Sequence, residues 1–213
     1  MDKIKDWSKQ KLGEIGEQAV VFKLKLMGYD VVNLNNVKKN YKKVDLLVID
    51  PDTMESQYIQ VKTTIGKISK EKQKRIKKEN LDRENFHTGF TSDNTGYIAN
   101  LKEDIIGPWV FVLIRQEDKE LDFEFYVLTK EETFNLIKES NDWYINKWNR
   151  NGNELSNNTL VGLDLKWIKG ENDGGYKNKP LFQNPLKGIS SQERWDKIFN
   201  IPSTNNDLLC SRM

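Results

Sequence analysis

The 213-residue chain carries 34 basic and 32 acidic residues, a formal net charge of +2, so overall charge does not mark a polyanion binder. With a single cysteine, Cys210, and a single histidine, His87, there is no basis for an internal disulfide, a thiolate or histidine-ligated metal site, or a Ser-His-Asp hydrolase. No signal-peptide core opens the chain and no apolar run would span a bilayer, so a cytoplasmic protein without a membrane partner is expected, built as one domain over residues 1–202 with a flexible tail over 203–213.

In chain order, apolar periodicity predicts a helix from about Ser8 to Met27, stopped by Gly28. Leu12, Ile15, Ala19, Phe22 and Leu26 form one stripe on it, and Gly13, Glu17, Val20, Val21, Leu24 and Gly28 a second. Glu17 therefore interrupts an apolar stripe, whereas Glu14 shares a solvated side with Gln18 and Lys25. A strand near Val31 to Leu34 and a lysine-rich loop containing Lys42 and Lys43 follow. Two strands, Val44 to Ile49 and Gln57 to Lys62, are joined by turn chemistry at Asp50-Pro51-Asp52. Nine basic and three acidic residues lie between Lys62 and Arg83, and Lys67 to Lys78 fits a basic helix. Glu84 to Gly96 reads as loop. Pro108 to Arg115 and Asp122 to Leu128 read as two further strands, and Thr129-Lys130-Glu131-Glu132 as a capping box opening a helix through about Trp148. Ser190-Ser191-Gln192-Glu193 suggests a second cap before a short helix with Trp195, Ile198 and Phe199.

Strand side chains alternate faces, so Asp45 opposes the direction of Val44 and Leu46, while Gln60 and Lys62 share a side opposite Ile59 and Val61. If Ile49 lies opposite Tyr58, Asp45 falls opposite Lys62, with Gln60 on the diagonal. An acid, an amide and an ammonium on one otherwise apolar surface suit a hard divalent cation and a water beside it. Glycine-rich loops of the Walker or dinucleotide-binding kind, which would point to other phosphate chemistry, are missing.

The order of Gly16-Glu17 on a helix, Asp45 on a strand and Gln60-Val61-Lys62 on the next strand resembles the PD-(D/E)XK nuclease superfamily over roughly residues 11–64. The resemblance implies an α/β, restriction-endonuclease-like fold, a mixed central sheet flanked by helices. It implies a Mg²⁺-dependent endonuclease, with Mn²⁺ able to substitute, that hydrolyses phosphodiester bonds of DNA in restriction, defence or repair, with RNA as the alternative substrate and a homodimer as the form that would cut both strands. Glu17, Asp45 and Gln60 take the positions of the metal ligands, the Val61 carbonyl completes the shell, and Lys62 takes that of the catalytic lysine. Gln60 departs from the usual acid, as in Mrr-like restriction enzymes, and a neutral amide holds magnesium more weakly. Lys42, Lys43, Lys67, Lys70, Lys72, Lys74 and Arg75 would grip the nucleic-acid backbone.

Taken singly, each of these residues has an ordinary explanation. Asp45 would serve as a strand-end acid, Lys62 as its cross-strand partner, Glu17 as a helix acid near Lys23 or Lys25, and the lysine run as a solvated helix face. Two other functions follow from those readings. One is a catalytically inactive nucleic-acid-binding member of the same fold, the other a non-enzymatic interaction or immunity-type protein.

Overall fold

The computed structural model describes residues 7–37, 44–65, 85–91, 103, 105–117, 120–143, 160–165 and 184–199. In chain order the elements are α1 (Lys9–Leu26), β1 (Asp30–Asn33), the one-turn helix α2 (Leu34–Val37), β2 (Leu46–Ile49), β3 (Ser56–Ile65), β4 (Asn85–Thr91), β5 (Trp109–Glu117), β6 (Glu120–Leu128), α3 (Lys130–Trp143) and β7 (Leu160–Asp164), then a 3-10 turn (Trp195–Ile198). Where chain length suggests one domain, backbone contacts group the residues into two compact units. The first comprises Met1–Ile65, Asp104–Lys130 and Gln192–Met213, the second Gly66–Glu103 and Glu131–Ser191.

The first unit holds a five-stranded sheet in the order β1-β2-β3-β5-β6. Every neighbouring pair is antiparallel except β3 with β5, which run parallel, so the sheet is mixed. The α/β class with a mixed central sheet is thus the architecture found. Alternation along the strands sends Leu46, Val48, Ile59, Val61, Val110, Val112, Ile114, Phe125 and Val127 into one core, closed by Val20 and Leu24 of α1 and by Trp195 and Ile198. Each aliphatic side chain buried there stabilises the unit by roughly 1.5–3 kcal/mol relative to exposure.

Helix α1 begins where the Ser8 hydroxyl accepts a hydrogen bond from Lys11 N at 3.1 Å, and it stops at Gly28, whose φ of 90° suits glycine. Its buried positions are Gly16, Val20 and Leu24, four residues apart, which make one line of contact with the sheet. Of the two apolar stripes expected from the sequence, the one with Val20 and Leu24 is the buried face, while the one running through Leu12, Ile15 and Ala19 packs only partly against the core. Phe22 is 65% and Leu26 61% exposed, because a helix lying on a single sheet layer has only one side to bury.

The β2–β3 register differs from the expected one by two residues. Ile49 pairs with Ser56 and Leu47 with Tyr58, so continuing past Leu46↔Ile59 places Asp45 opposite Gln60, with Lys62 on the diagonal. The turn explains the difference. Asp50 accepts Asp52 N at 2.9 Å through its side chain and Met54 N at 2.8 Å through its carbonyl, while Met54 adopts a left-handed φ of 58°. Those bonds close the connection within Asp50 to Glu55 and let β3 start at Ser56, sooner than strand propensity indicates. A shift of two residues keeps every side chain on its expected face.

In the second unit β4 pairs antiparallel with β7. Residues 85–91, expected as loop, therefore form a strand. Its register shifts between His87 and Thr91, an irregularity that interrupts the period-two pattern by which strands are read. Helix α3 follows its expected start, and residues 144–150, where the sequence carries it on to Trp148, lie outside the described residues. The proposed cap at Ser190 does not form. Arg194 precedes the 3-10 turn without a side-chain capping bond, and Glu193 instead accepts Trp195 Nε1 at 2.9 Å and pairs with Lys23 at 3.1 Å. Among the described residues no helix is long and apolar enough to cross a membrane.

Candidate active site

Helix α1 lies close against the sheet at Gly16. A Cβ there would run into Thr63 Oγ1 and lie 2.8 Å from both Thr63 Cβ and Cγ2 of β3. The missing side chain lets the next residue, half-buried Glu17, reach the end of β1. Glu17 Oε2 accepts Asn33 Nδ2 at 3.1 Å and Oε1 accepts Asn35 Nδ2 at 3.2 Å. Asn35 Nδ2 also donates to Asp45 Oδ1 at 3.3 Å, so one carboxamide joins the helix acid to the strand acid.

Asp45 stands just before β2, where, among the described residues, β3 runs on without a strand partner on that edge. The unpaired Val61 N–H finds the Asp45 carboxylate instead, at Oδ2 and 2.7 Å. Asp45 N donates to Ile59 O at 3.0 Å and Asp45 O accepts Leu34 N at 2.9 Å, which ties its backbone to both neighbouring segments. The Val61 carbonyl leaves β3 on the same open edge as its N–H. Gln60 and Lys62 project from the face that carries Trp109 and Phe111, their register partners on β5. Among the described residues no hydrogen bond joins the Gln60 amide to either carboxylate. The Lys62 ammonium lies 5.4 Å from the Trp109 ring centroid, a cation–π arrangement, and forms no salt bridge within 4.0 Å among the described residues.

Both charged ends feel the burial. Desolvation raises the Glu17 pKa above the ordinary glutamate value; the Asn33 and Asn35 bonds oppose the rise, and the charges of Asp45 and Glu14 add to it. Desolvation lowers the Lys62 pKa, opposed by the attraction of Asp45 and Glu17. Two carboxylates and an ammonium from three elements therefore act on one another electrostatically, although the cross-strand Asp45–Lys62 ion pair allowed by the sequence does not form.

A magnesium-type ion asks for several hard oxygens and a near-octahedral shell. The convergence of one oxygen from Glu17 and one from Asp45 on a single atom, Asn35 Nδ2, fits such an ion, with the Val61 carbonyl and the Gln60 amide oxygen as further donors of the right kind. The set is lean in charge. Among the described residues no group of three or more His, Cys, Asp or Glu side chains is placed to hold a metal.

Asn33 and Asn35 are the site residues that sequence reasoning missed. Asn35 N donates to Asn33 Oδ1 at 2.9 Å, an Asx turn after β1, and Asn-Leu-Asn behind a strand is the signal that would have found it. Asparagine is so frequent along this chain that the pair does not stand out. Lys42, Lys43, Lys67, Lys70, Lys72, Lys74 and Arg75 lie outside the described residues. Compared with protein-family models, curated proteins and solved structures, the chain matches none.

Proposed function

We propose that this chain is a divalent-metal-dependent nuclease of the PD-(D/E)XK, restriction-endonuclease-like kind, hydrolysing phosphodiester bonds of DNA in defence or repair. The observation that carries the reading is that Glu17 from α1 and Asp45 from just before β2 share one bridging donor, while the half-buried Lys62 of β3 lies within their electrostatic reach. Structural carboxylates on a sheet edge have no need to be brought together from two elements against their mutual repulsion.

In this reading Glu17, Asp45, the Val61 carbonyl and Gln60 would hold Mg²⁺ or Mn²⁺, which when bound supplies Lewis-acid activation of the phosphate and acidification of water. The chain's own contribution is orientation and proton control. Asn33 and the Val61 N–H fix the carboxylate rotamers, so no reorganisation is required when substrate arrives. Lys62, its ammonium destabilised by desolvation and 5.4 Å from the Trp109 ring centroid, would orient water or hand a proton to a departing oxygen. Lys42, Lys43 and the basic run from Lys67 to Arg75 would contact backbone phosphates. A homodimer would place two such centres on opposite strands.

The reading is tested by incubating plasmid DNA with the full chain and Mg²⁺ or Mn²⁺. Nicking or linearisation that Asp45→Asn and Lys62→Met both abolish supports it, and absence of metal-dependent cleavage by the wild type at any divalent concentration sinks it. The neutral Gln60 and the lack of a three-carboxylate group favour a second reading, a catalytically inactive DNA-binding member of this fold. Salt-sensitive DNA binding without cleavage is its signature.

A further inference from the structure

Each carboxylate of the site has one oxygen held firmly. Asp45 Oδ2 takes the Val61 N–H at 2.7 Å, and Glu17 Oε2 takes Asn33 Nδ2 at 3.1 Å. The other two oxygens, Glu17 Oε1 and Asp45 Oδ1, meet at Asn35 Nδ2 at 3.2 and 3.3 Å. Hydrogen bonds to an ionised acceptor usually run at about 2.7–2.9 Å, so these two are slack. Ionised carboxylates only accept, and they alone dictate that the Asn35 amide turns its nitrogen inward. A cation at the same point reverses that preference, because it would repel the NH₂ group and attract the carbonyl.

Asn35 is built to make that exchange. Its backbone is anchored independently, its N–H donating to Asn33 Oδ1 at 2.9 Å, and none of its contacts to the acids uses its own Oδ1. Half a turn about the terminal side-chain torsion, a broad and roughly two-fold rotation, swaps nitrogen for oxygen without moving the chain. The swap adds a hard oxygen donor, which the neutral Gln60 leaves the site needing. The half-buried Lys62 ammonium, 5.4 Å from the Trp109 ring centroid and within electrostatic reach of both acids, forms no ion pair with either carboxylate within 4.0 Å, so it does not occupy the point where their oxygens meet.

We propose that Asn35 is an exchangeable metal ligand, bridging Glu17 and Asp45 through Nδ2 when no ion is present and turning Oδ1 to a divalent ion when one binds. The inference rests on the metal-dependent reading above.

Calorimetric titration of Mn²⁺ into the full chain, without DNA, tests it on the wild type, Asn35→Ala and Asn35→Asp, with circular dichroism establishing that each is folded. A ligand role weakens Mn²⁺ binding in Asn35→Ala by roughly tenfold or more, the scale on which changes around a metal move its affinity. Asn35→Asp, which supplies a third carboxylate, binds more tightly than wild type by a comparable factor. Binding in Asn35→Ala as tight as or tighter than wild type means that the amide only competes with the ion, which overturns this inference and leaves the nuclease reading standing. Absence of Mn²⁺ binding by the wild type overturns both. Should Asn35→Ala fail to fold, Asn35→Asp decides alone, and a failure to gain affinity refutes the proposal.

Discussion

The crossing of α1 over β3 offers the sharpest test of how the site is assembled, because two known effects of Gly16→Ala have opposite signs. Replacing an interior helical glycine with alanine ordinarily stabilises by about 0.8–1 kcal/mol. Here the added methyl would overlap Thr63 Oγ1 and stand 2.8 Å from Thr63 Cβ and Cγ2. Turning the threonine to another rotamer moves Oγ1 and Cγ2 but not Cβ, which the β3 backbone fixes, so the helix itself must retreat by some tenths of an ångström. Overpacking of this kind costs about 1–3 kcal/mol, so sterics outweigh propensity and the variant should lose up to about 2 kcal/mol net. Thr63→Ala in the same chain removes two of the three clashing atoms, and the double mutant should recover at least half of the loss, a coupling energy of about 0.5–3 kcal/mol. Urea unfolding of the four proteins gives the cycle. Mn²⁺ titration of the same set adds a functional reading, because a retreating α1 carries Glu17 away from Asn35. A Gly16→Ala protein more stable than wild type, or additive losses in the double mutant, would refute the close-approach argument.

The remaining expectations concern charge and satisfaction. Thr63 Oγ1 is buried and has no hydrogen-bond partner, so Thr63→Val, which keeps the shape and removes the hydroxyl, should raise the urea midpoint by the equivalent of about 1 kcal/mol. Lys62 has a folded pKa below the ordinary 10.5, so the folded state releases its proton first, and wild-type stability climbs as pH rises from the lowered value towards 10.5. Lys62→Met should be the more stable protein at neutral pH and lack that climb, which the difference between the two stability–pH curves measures. Glu17 has a folded pKa above the ordinary 4.5, so its protonation favours folding, an advantage fully present below 4.5 and lost as pH rises through the folded value. Glu17→Gln should therefore flatten the acid side of the curve, and an unchanged profile would show that the carboxylate is not desolvated.

What the sequence made legible was local and periodic. Alternation alone set Gln60 and Lys62 on the face opposite the buried Ile59 and Val61, and the helix bearing Glu17 begins at its Ser8 cap and ends beside Gly28 as capping chemistry requires. The register escaped because it depends on the Asp50 side chain folding the turn and on Met54 accepting a left-handed backbone, choices that propensity does not rank. The irregular strand at residues 85–91 escaped because its partner β7 lies some seventy residues further along. Asn33 and Asn35 escaped for a third reason. Their role arises only when β1, α2 and the Asp45 segment are packed together, a relation among three segments that no local pattern carries.

The charges of the site bear on why an amide at position 60 is chemically coherent. Glu17 and Asp45 contribute two negative charges and Lys62 one positive, while Asn33, Asn35 and Gln60 contribute dipoles alone. Burial already disfavours the charged forms of both Glu17 and Lys62. A third carboxylate at position 60 would add a like charge beside a glutamate whose pKa is raised, and in the absence of an ion would push one of the acids towards its protonated form. Carboxamides give the opposite trade. Asn33 and Asn35 donate to the carboxylates and Gln60 adds no charge beside them, so on the metal-dependent reading the ion-free fold would keep its stability while the amide oxygens would add ligands of lower affinity when a cation arrives. On that reasoning Gln60→Glu should tighten Mn²⁺ binding and destabilise the ion-free protein together. Titration and urea unfolding of this one variant separate the argument from its rival, since a merely decayed centre gives no reason for both to move.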